Sequence, residues 1–191
     1  MKIAVLAIQG AFIEHEKKLE ALGAECFELR QKKDLDTEFD GLVLPGGEST
    51  VQGKLLRELD MFDALKEKIE SGMPVLGTCA GLILLADQLT NDGHVYFGTL
   101  PVSVCRNAYG RQLGSFRTVQ EFAGIGEVPM TFIRAPYIEE AKAGTQVLAE
   151  VDGHIVAVRS KNQFGMSFHP ELDADNRIHE LFLKTVEAWK G

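Results

Sequence analysis

The sequence has little cysteine, no excess of positive charge and no long apolar run, and each shortage excludes a class of protein. Its 191 residues include three cysteines, too few and too irregularly spaced for a disulfide framework or a Cys-x-x-Cys metal site. With 20 Lys and Arg against 28 Asp and Glu, the net charge is −8, which argues against nucleic acid or an anionic membrane as the main partner. We therefore expect a protein of the reducing cytoplasm without a bound metal.

The apolar stretch at residues 3–8 is too short for a signal peptide or a membrane span, so it predicts a buried first strand. No internal repeat, low-complexity segment or linker divides the chain. Residues 1–191 are therefore predicted to form a single domain, long enough for a sheet covered on both faces.

Short apolar runs alternate with amphipathic segments through the first half of the chain. This alternation predicts the α/β class: a doubly wound, mostly parallel sheet with helices on both faces. Ser49 or Thr50 is predicted to cap one helix and Asp60 the next. In the second half, Asp152-Gly153 predicts a hairpin, so antiparallel strands are added to the parallel core. A last helix is predicted at about residues 175–189, with Trp189 facing the core.

The segment Gly77-Thr78-Cys79-Ala80-Gly81 joins two apolar runs. Glycines on both sides of the cysteine favour a strand, a sharp turn and a helix, the geometry of a nucleophile elbow. The N–H groups that open the helix favour a thiolate and can stabilise an oxyanion. The plain alternative is a small buried cysteine at a tight junction.

A cysteine nucleophile needs a base, and the base needs an orienting group. His169 follows an apolar run at a predicted strand end, and Glu171 stands two residues on, where it can hold the imidazole. The other histidines, His15, His94, His154 and His179, lack comparable neighbours, and the last two are predicted to be solvated.

The motifs together resemble those of class I, triad-type glutamine amidotransferases. The blocks that carry the resemblance are Pro45-Gly46-Gly47-Glu48-Ser49-Thr50, the Cys79 elbow, Arg106 to Gln112, Phe132-Ile133-Arg134-Ala135-Pro136 and Phe168-His169-Pro170-Glu171-Leu172. Within that superfamily the chain resembles the glutaminase-subunit family of ribose-5-phosphate-dependent pyridoxal 5′-phosphate synthases, over essentially its whole length. The resemblance implies a flavodoxin-like fold and the cytoplasm.

The resemblance also implies hydrolysis of L-glutamine to L-glutamate and ammonia through a Cys79 thioester, with His169 as base and Glu171 as its orienter. It places glutamine on Gly46, Gly47, Glu48, Arg106, Ile133 and Arg134, and an oxyanion hole at Ala80 and at Gly46 or Gly47. Ammonia would pass to a (β/α)₈-barrel synthase subunit in a large hetero-oligomer, with Gln9 and Gly10 as interface candidates. No cofactor is expected, since pyridoxal phosphate is the product of the complex.

Three alternatives stay open at this point. A different amidotransferase would feed ammonia to nucleotide, histidine or cobyrinate synthesis. A related cysteine-elbow protein of the stress-protein or intracellular-protease type would leave His169-Pro170-Glu171 unexplained. A binding module with a dead elbow would need a broken triad, whereas Cys79, His169 and Glu171 are all present.

Overall fold

The computed structural model of the chain describes residues 1–106 and 115–191. Positions 107–112 of the Arg106 to Gln112 block, which carries part of the family resemblance, therefore lie outside the described residues. The helices are Phe12–Ala21 (α1), Ser49–Glu58 (α2), Phe62–Glu70 (α3), Ala80–Leu85 (α4) and Arg177–Lys190 (α5). The strands are Lys2–Leu6 (β1), Glu25–Leu29 (β2), Gly41–Leu44 (β3), Val75–Thr78 (β4), Ala86–Leu89 (β5), Leu100–Cys105 (β6), Ser115–Phe122 (β7), Gly126–Ile133 (β8), Tyr137–Ala141 (β9), Gln146–Val151 (β10), His154–Ser160 (β11) and Gln163–Met166 (β12).

Within the described ranges, a main sheet of ten strands has the order β2-β1-β3-β4-β12-β11-β9-β6-β5, with β10 paired to β11. The first five strands of that order are mutually parallel, and β11, β9 and β10 join by antiparallel pairing. The predicted α/β sheet with added hairpins is confirmed, including the turn at Asp152-Gly153 between β10 and β11. Strands β7 and β8 form a separate two-stranded sheet.

Both faces of the inner parallel strands β1, β3, β4 and β12 are buried, whereas the edge strand β2 is partly accessible. On β1, Ala4 and Leu6 face a core layer shared with α2, α3 and α4, while Ile3 and Val5 face a second layer shared with α1 and α5. The described part of the chain contains no helix that is both long and apolar enough to cross a membrane.

Local details of the helix termini differ from the predictions. Helix α2 is capped by Glu48 rather than Ser49 or Thr50, and α3 by Met61 rather than Asp60, in both cases without a side-chain capping bond. Trp189 is 42% exposed, so its predicted core position is wrong. It stands one residue from the end of α5, where fewer neighbouring elements remain to cover a large ring.

Candidate active site

Four loops meet at one edge of the sheet because β1, β3, β4 and β12 are parallel and adjacent. Their carboxyl ends lead to Gln9, Gly46, Cys79 and His169 respectively. A cavity of about 420 Å³ opens there. Its walls include Cys79 and His169 together with the six positions predicted for glutamine: Gly46, Gly47, Glu48, Arg106, Ile133 and Arg134. A crevice outside the carboxyl ends of the strands is the common ligand site of such sheets.

Cys79 sits at a strained turn between β4 and α4, with φ +49° and ψ −100°. The flanking glycines explain how the backbone fits. A Cβ on Gly77 would lie 2.8 Å from the carbonyl of Gly81, and a Cβ on Gly81 would lie 2.0 Å from the carbonyl oxygen of Leu44. Left-handed backbone at a non-glycine residue is costly and is held only by its surroundings. The predicted strand–turn–helix elbow is therefore present.

The imidazole of His169 lies between the thiol of Cys79 and a buried carboxylate. Its Nδ1 is 2.7 Å from Oε1 of Glu171, whose side chain is fully buried. Burial alone would lower the pKa of His169, but hydrogen bonds to Cys79 and Glu171 outweigh it and raise the pKa to about 10. A proton released by the thiol is thus held firmly on this ring.

The short 3-10 turn Pro170–Leu172 that carries Glu171 is anchored on both sides. The N–H of His169 donates to the carbonyl of Thr131 on β8, and the hydroxyl of Thr131 donates to Asp173. Arg117 on β7 also donates to Asp173. The two-stranded sheet therefore fixes the position of His169 and of the carboxylate behind it.

The Gly46-Gly47 loop packs against the start of α1. The N–H of Ala11 donates to the carbonyl of Gly46 at 3.0 Å, and the N–H of Glu48 donates to Oε1 of Gln9 at 2.8 Å. The buried Gln52 donates its amide to the carbonyl of Gln9 at 3.0 Å. Sequence reasoning missed Gln52, although a polar residue four positions before the buried Leu56 of α2 was a signal.

The two arginines of the cavity differ in their partners. Arg106 is paired through its guanidinium with Asp92 and donates to the hydroxyl of Thr50. Among the described residues, Arg134 forms no salt bridge, and its backbone has a φ of +43° at the cavity wall. Of the two arginines, Arg134 is therefore the one whose guanidinium is not already paired with a carboxylate among the described residues.

Two further buried histidines, which the sequence analysis missed, lie behind Glu171. His15 and His179 are both fully buried, so the expectation that His179 is solvated is wrong. His15 Nδ1 is 3.0 Å from His179 Nε2, and His15 Nε2 is 3.2 Å from Thr78 Oγ1 and 3.3 Å from Glu171 Oε2. Helical spacing carried a signal, since His15 shares the face of Phe12 and Leu19 on α1.

Burial lowers the pKa of His15 and places that of His179 well below its ordinary value of 6.5, so both are neutral in the folded chain. Unfolding lets them take up protons below pH 6.5. The free energy of unfolding is therefore expected to fall as the pH drops through this range, by up to about 1.4 kcal/mol per pH unit per group. His169, whose pKa is raised to about 10, contributes with the opposite sign. Its stabilisation grows as the pH falls from about 10 and is complete only below the unfolded pKa of about 6.5, so it changes little between pH 6 and pH 5.

Denaturant titrations at pH 7, 6 and 5 would measure this slope. A variant with His15→Gln and His179→Gln should show a flatter dependence than the parent. The charged groups around His15 are Glu171, His169, Glu14 and Lys18, and all remain in that variant. An equal slope in parent and variant would contradict the assignment.

Three comparisons bear on what this site does. A model of the SNO glutamine amidotransferase family matches residues 5–188. The pyridoxal 5′-phosphate synthase subunit PdxT of Desulfitobacterium hafniense strain Y51 is 64% identical over all 191 residues and 96% of its own length. PdxT of Methanocorpusculum labreanum is 54% identical over 97% of this chain and 98% of its own. A crystal structure of a glutamine amidotransferase superposes with a TM-score of 0.91 at 41% identity, covering 97% of this chain and 98% of the other.

Proposed function

The chain belongs to the SNO glutamine amidotransferase family, and on that premise we propose that it is the glutaminase subunit of a pyridoxal 5′-phosphate synthase. It hydrolyses L-glutamine to L-glutamate and ammonia, and the ammonia goes to a synthase subunit that builds pyridoxal 5′-phosphate. The catalytic part of this proposal rests on one observation: His169 is hydrogen-bonded to both Cys79 and Glu171 at the edge of one cavity.

In this mechanism the Sγ of Cys79 attacks the side-chain amide carbon of glutamine. His169 accepts the thiol proton and returns it to the departing nitrogen, so ammonia leaves and a γ-glutamyl thioester remains. A water activated by His169 then hydrolyses the thioester and regenerates the thiol. Glu171 holds the imidazole through Nδ1 at 2.7 Å and leaves Nε2 for the reaction.

We assign the oxyanion hole to the backbone N–H of Ala80 and to that of Gly46 or Gly47. Ala80 is the first residue of α4, where the N–H has no acceptor within the helix. The glycine loop lies against the imidazole, since a Cβ on Gly46 would be 2.3 Å from Cε1 of His169. Each donor aimed at the developing oxyanion contributes about 3–4 kcal/mol in comparable sites.

Free glutamine carries an α-ammonium and an α-carboxylate, and the cavity offers a charged partner for each. Glu48 suits the ammonium, and an arginine suits the carboxylate through paired N–H donors. Arg134 fits this role better than Arg106, because Arg106 would first have to give up its ion pair with Asp92. Gly46, Gly47 and Ile133 line the same cavity and complete the proposed glutamine site.

The proposed partner is a (β/α)₈-barrel synthase subunit in a large hetero-oligomer, and its docking would adjust the Gly46-Gly47 loop through Gln9 and Gly10. Support comes from the contacts of Gln9 and Ala11 with that loop. We propose that the protein works in the cytoplasm, consistent with three cysteines that are all unpaired. No cofactor is assigned to this subunit.

The deciding experiment measures glutamate release from glutamine by the purified chain, alone and with the synthase subunit from the same organism. We expect weak release alone and strong stimulation by the partner, with ammonia incorporated into pyridoxal 5′-phosphate. Absence of glutamate under both conditions would refute the glutaminase assignment. Full activity that is indifferent to the synthase would assign the chain to a different amidotransferase.

A further inference from the structure

The carboxylate of Glu171 has an imidazole on each of its two oxygens. Oε1 is 2.7 Å from Nδ1 of His169 in a hydrogen bond. Oε2 is 3.3 Å from Nε2 of His15, a contact within ion-pair distance but without the alignment of a hydrogen bond, and has no hydrogen-bond partner among the described residues. The side chains of His15 and Glu171 are both 0% exposed, so no solvent competes for this contact. The same nitrogen of His15 is 3.2 Å from the hydroxyl oxygen of Thr78, the residue before the nucleophile.

The ring of His15 is itself held from behind by a second buried histidine. His179 of α5 places Nε2 at 3.0 Å from Nδ1 of His15, with the two ring planes inclined at 51°. A row of groups thus runs from α5 through α1 to the carboxylate of the proposed triad. None of these contacts is required by the proposed thioester chemistry itself.

The number of N–H protons on the two imidazoles favours one arrangement of the hydrogen bonds in this row. Two neutral imidazoles carry one N–H each. If His179 donates from Nε2 to Nδ1 of His15, then Nε2 of His15 bears the proton that faces Glu171 and Thr78. The remaining buried nitrogen, Nδ1 of His179, then lacks only a donor for its lone pair.

The opposite pair of tautomers is less favourable at both ends of the histidine row. If His15 donated from Nδ1, the lone pair of its Nε2 would face the carboxylate oxygen at 3.3 Å. The proton of His179 would then sit on Nδ1, which has no hydrogen-bond partner in the described part of the chain. A buried donor without an acceptor is rarer and more costly than an unused acceptor.

We propose that His15 is a positioning residue, oriented by His179, whose Nε2–H fixes the Glu171 carboxylate so that Oε1 presents to His169. This inference rests on the proposed glutaminase function. Burial works against ionisation of Glu171, yet the neighbouring His15 and His169 keep its pKa below the ordinary value. Loss of His15 would remove the largest favourable charge interaction of the buried carboxylate, which favours the protonated and wrongly oriented acid.

Two substitutions at position 15 separate positioning from packing. His15→Gln keeps an amide nitrogen where Nε2 stands, whereas His15→Leu keeps similar volume and removes the donor. With the synthase present, His15→Leu should lower kcat by about 10- to 100-fold, as loss of an outer-shell partner does elsewhere, with KM within about twofold. His15→Gln should retain most of the parent kcat.

The pH profile provides a readout that packing alone would not move. In His15→Leu, the acid limb of kcat/KM should shift to higher pH because Glu171 takes up a proton more readily. Equal kcat and an unshifted acid limb in His15→Leu would overturn the proposal. Equal impairment of His15→Leu and His15→Gln would also overturn it.

A measurement on the unmodified chain avoids the risk that a variant fails to fold. The ¹⁵N signals of His15 report its tautomer directly, and we expect protonated Nε2 and unprotonated Nδ1 at pH 7. The opposite tautomer would refute the proposal whatever the activity data show. Because this readout needs no turnover, it remains valid if the parent releases no glutamate, the outcome that refutes the glutaminase function instead.

Discussion

Cys79→Ala is expected to reduce glutamate release by about 10⁴-fold or more, to the detection limit, while the fold survives. The nucleophile, its base and the orienting carboxylate act as one unit, and removing the nucleophile removes the covalent route entirely. The small methyl group is expected to fit the elbow, since it is shorter than the buried cysteine side chain that it replaces. Steady-state release in the presence of the synthase measures the effect.

Cys26→Ala is the matched control because it removes a thiol of the same chain far from the cavity. Cys26 lies on β2, the edge strand of the sheet, and burial together with Glu20 and Glu16 raises its pKa to about 12. We expect this variant to keep the parent activity and its sensitivity to iodoacetamide. Substantial activity in Cys79→Ala would refute the thioester mechanism.

Binding of glutamine gives the same experiment a second control. Cys79→Ala retains Glu48 and Arg134 at the cavity wall, so it should still bind glutamine with nearly the parent affinity. Calorimetric titration of the variant with its partner would detect this. Loss of binding along with activity would show that the substitution disturbed the cavity rather than the chemistry alone.

The main features of the cavity could be predicted because they depend on short stretches of sequence. Parallel strands bring their carboxyl ends to one edge, so the segments after residues 44, 78 and 166 had to converge once the strands were recognised. Close backbone contact at Gly77 and Gly81 likewise follows from the motif itself. Local pattern and sheet topology were sufficient for these parts.

The histidine row behind Glu171 could not be predicted in the same way. His15 and His179 are 164 positions apart, and their contact depends on how α1 and α5 pack on one face of the sheet. Helical spacing offered a signal that His15 faces inward, whereas His179 was predicted to be solvated, and in neither case does spacing say which partner the ring meets. The pairing of Arg106 with Asp92 is a similar long-range detail.

Helix ends and short strands were missed for a different reason. Helices α2 and α3 begin at Glu48 and Met61 without a side-chain capping bond, so residue types that favour capping indicate the wrong positions here. The apolar run after Gly81 reads as one helix, yet it divides at Ala86 because β5 pairs with β6. Pairing with a distant strand outweighed the local helical pattern there.

Gly46→Ala is expected to lower kcat by at least about 100-fold while leaving the protein folded. The new Cβ would lie 2.3 Å from Cε1 and 2.9 Å from Nδ1 of His169, so either the loop or the imidazole must move. A displacement of about 1 Å at a reacting group can cost about 10²-fold in rate. Gly46 is buried whereas Gly47 and Glu48 are exposed, so we expect the exposed half of the loop to take up the displacement.

Two other glycines distinguish this effect from a general intolerance of methyl groups. A Cβ on Gly93 meets nothing within 4 Å, so Gly93→Ala should match the parent in rate and stability. A Cβ on Gly81 would lie 2.0 Å from the carbonyl oxygen of Leu44 in the buried core. Gly81→Ala should therefore have the lowest thermal stability of the three variants. Rates with the synthase and thermal unfolding, measured on all three variants, test this order. Parent activity in Gly46→Ala would show that the Gly46-Gly47 loop moves away from His169 during turnover, and it would remove Gly46 from the proposed oxyanion hole.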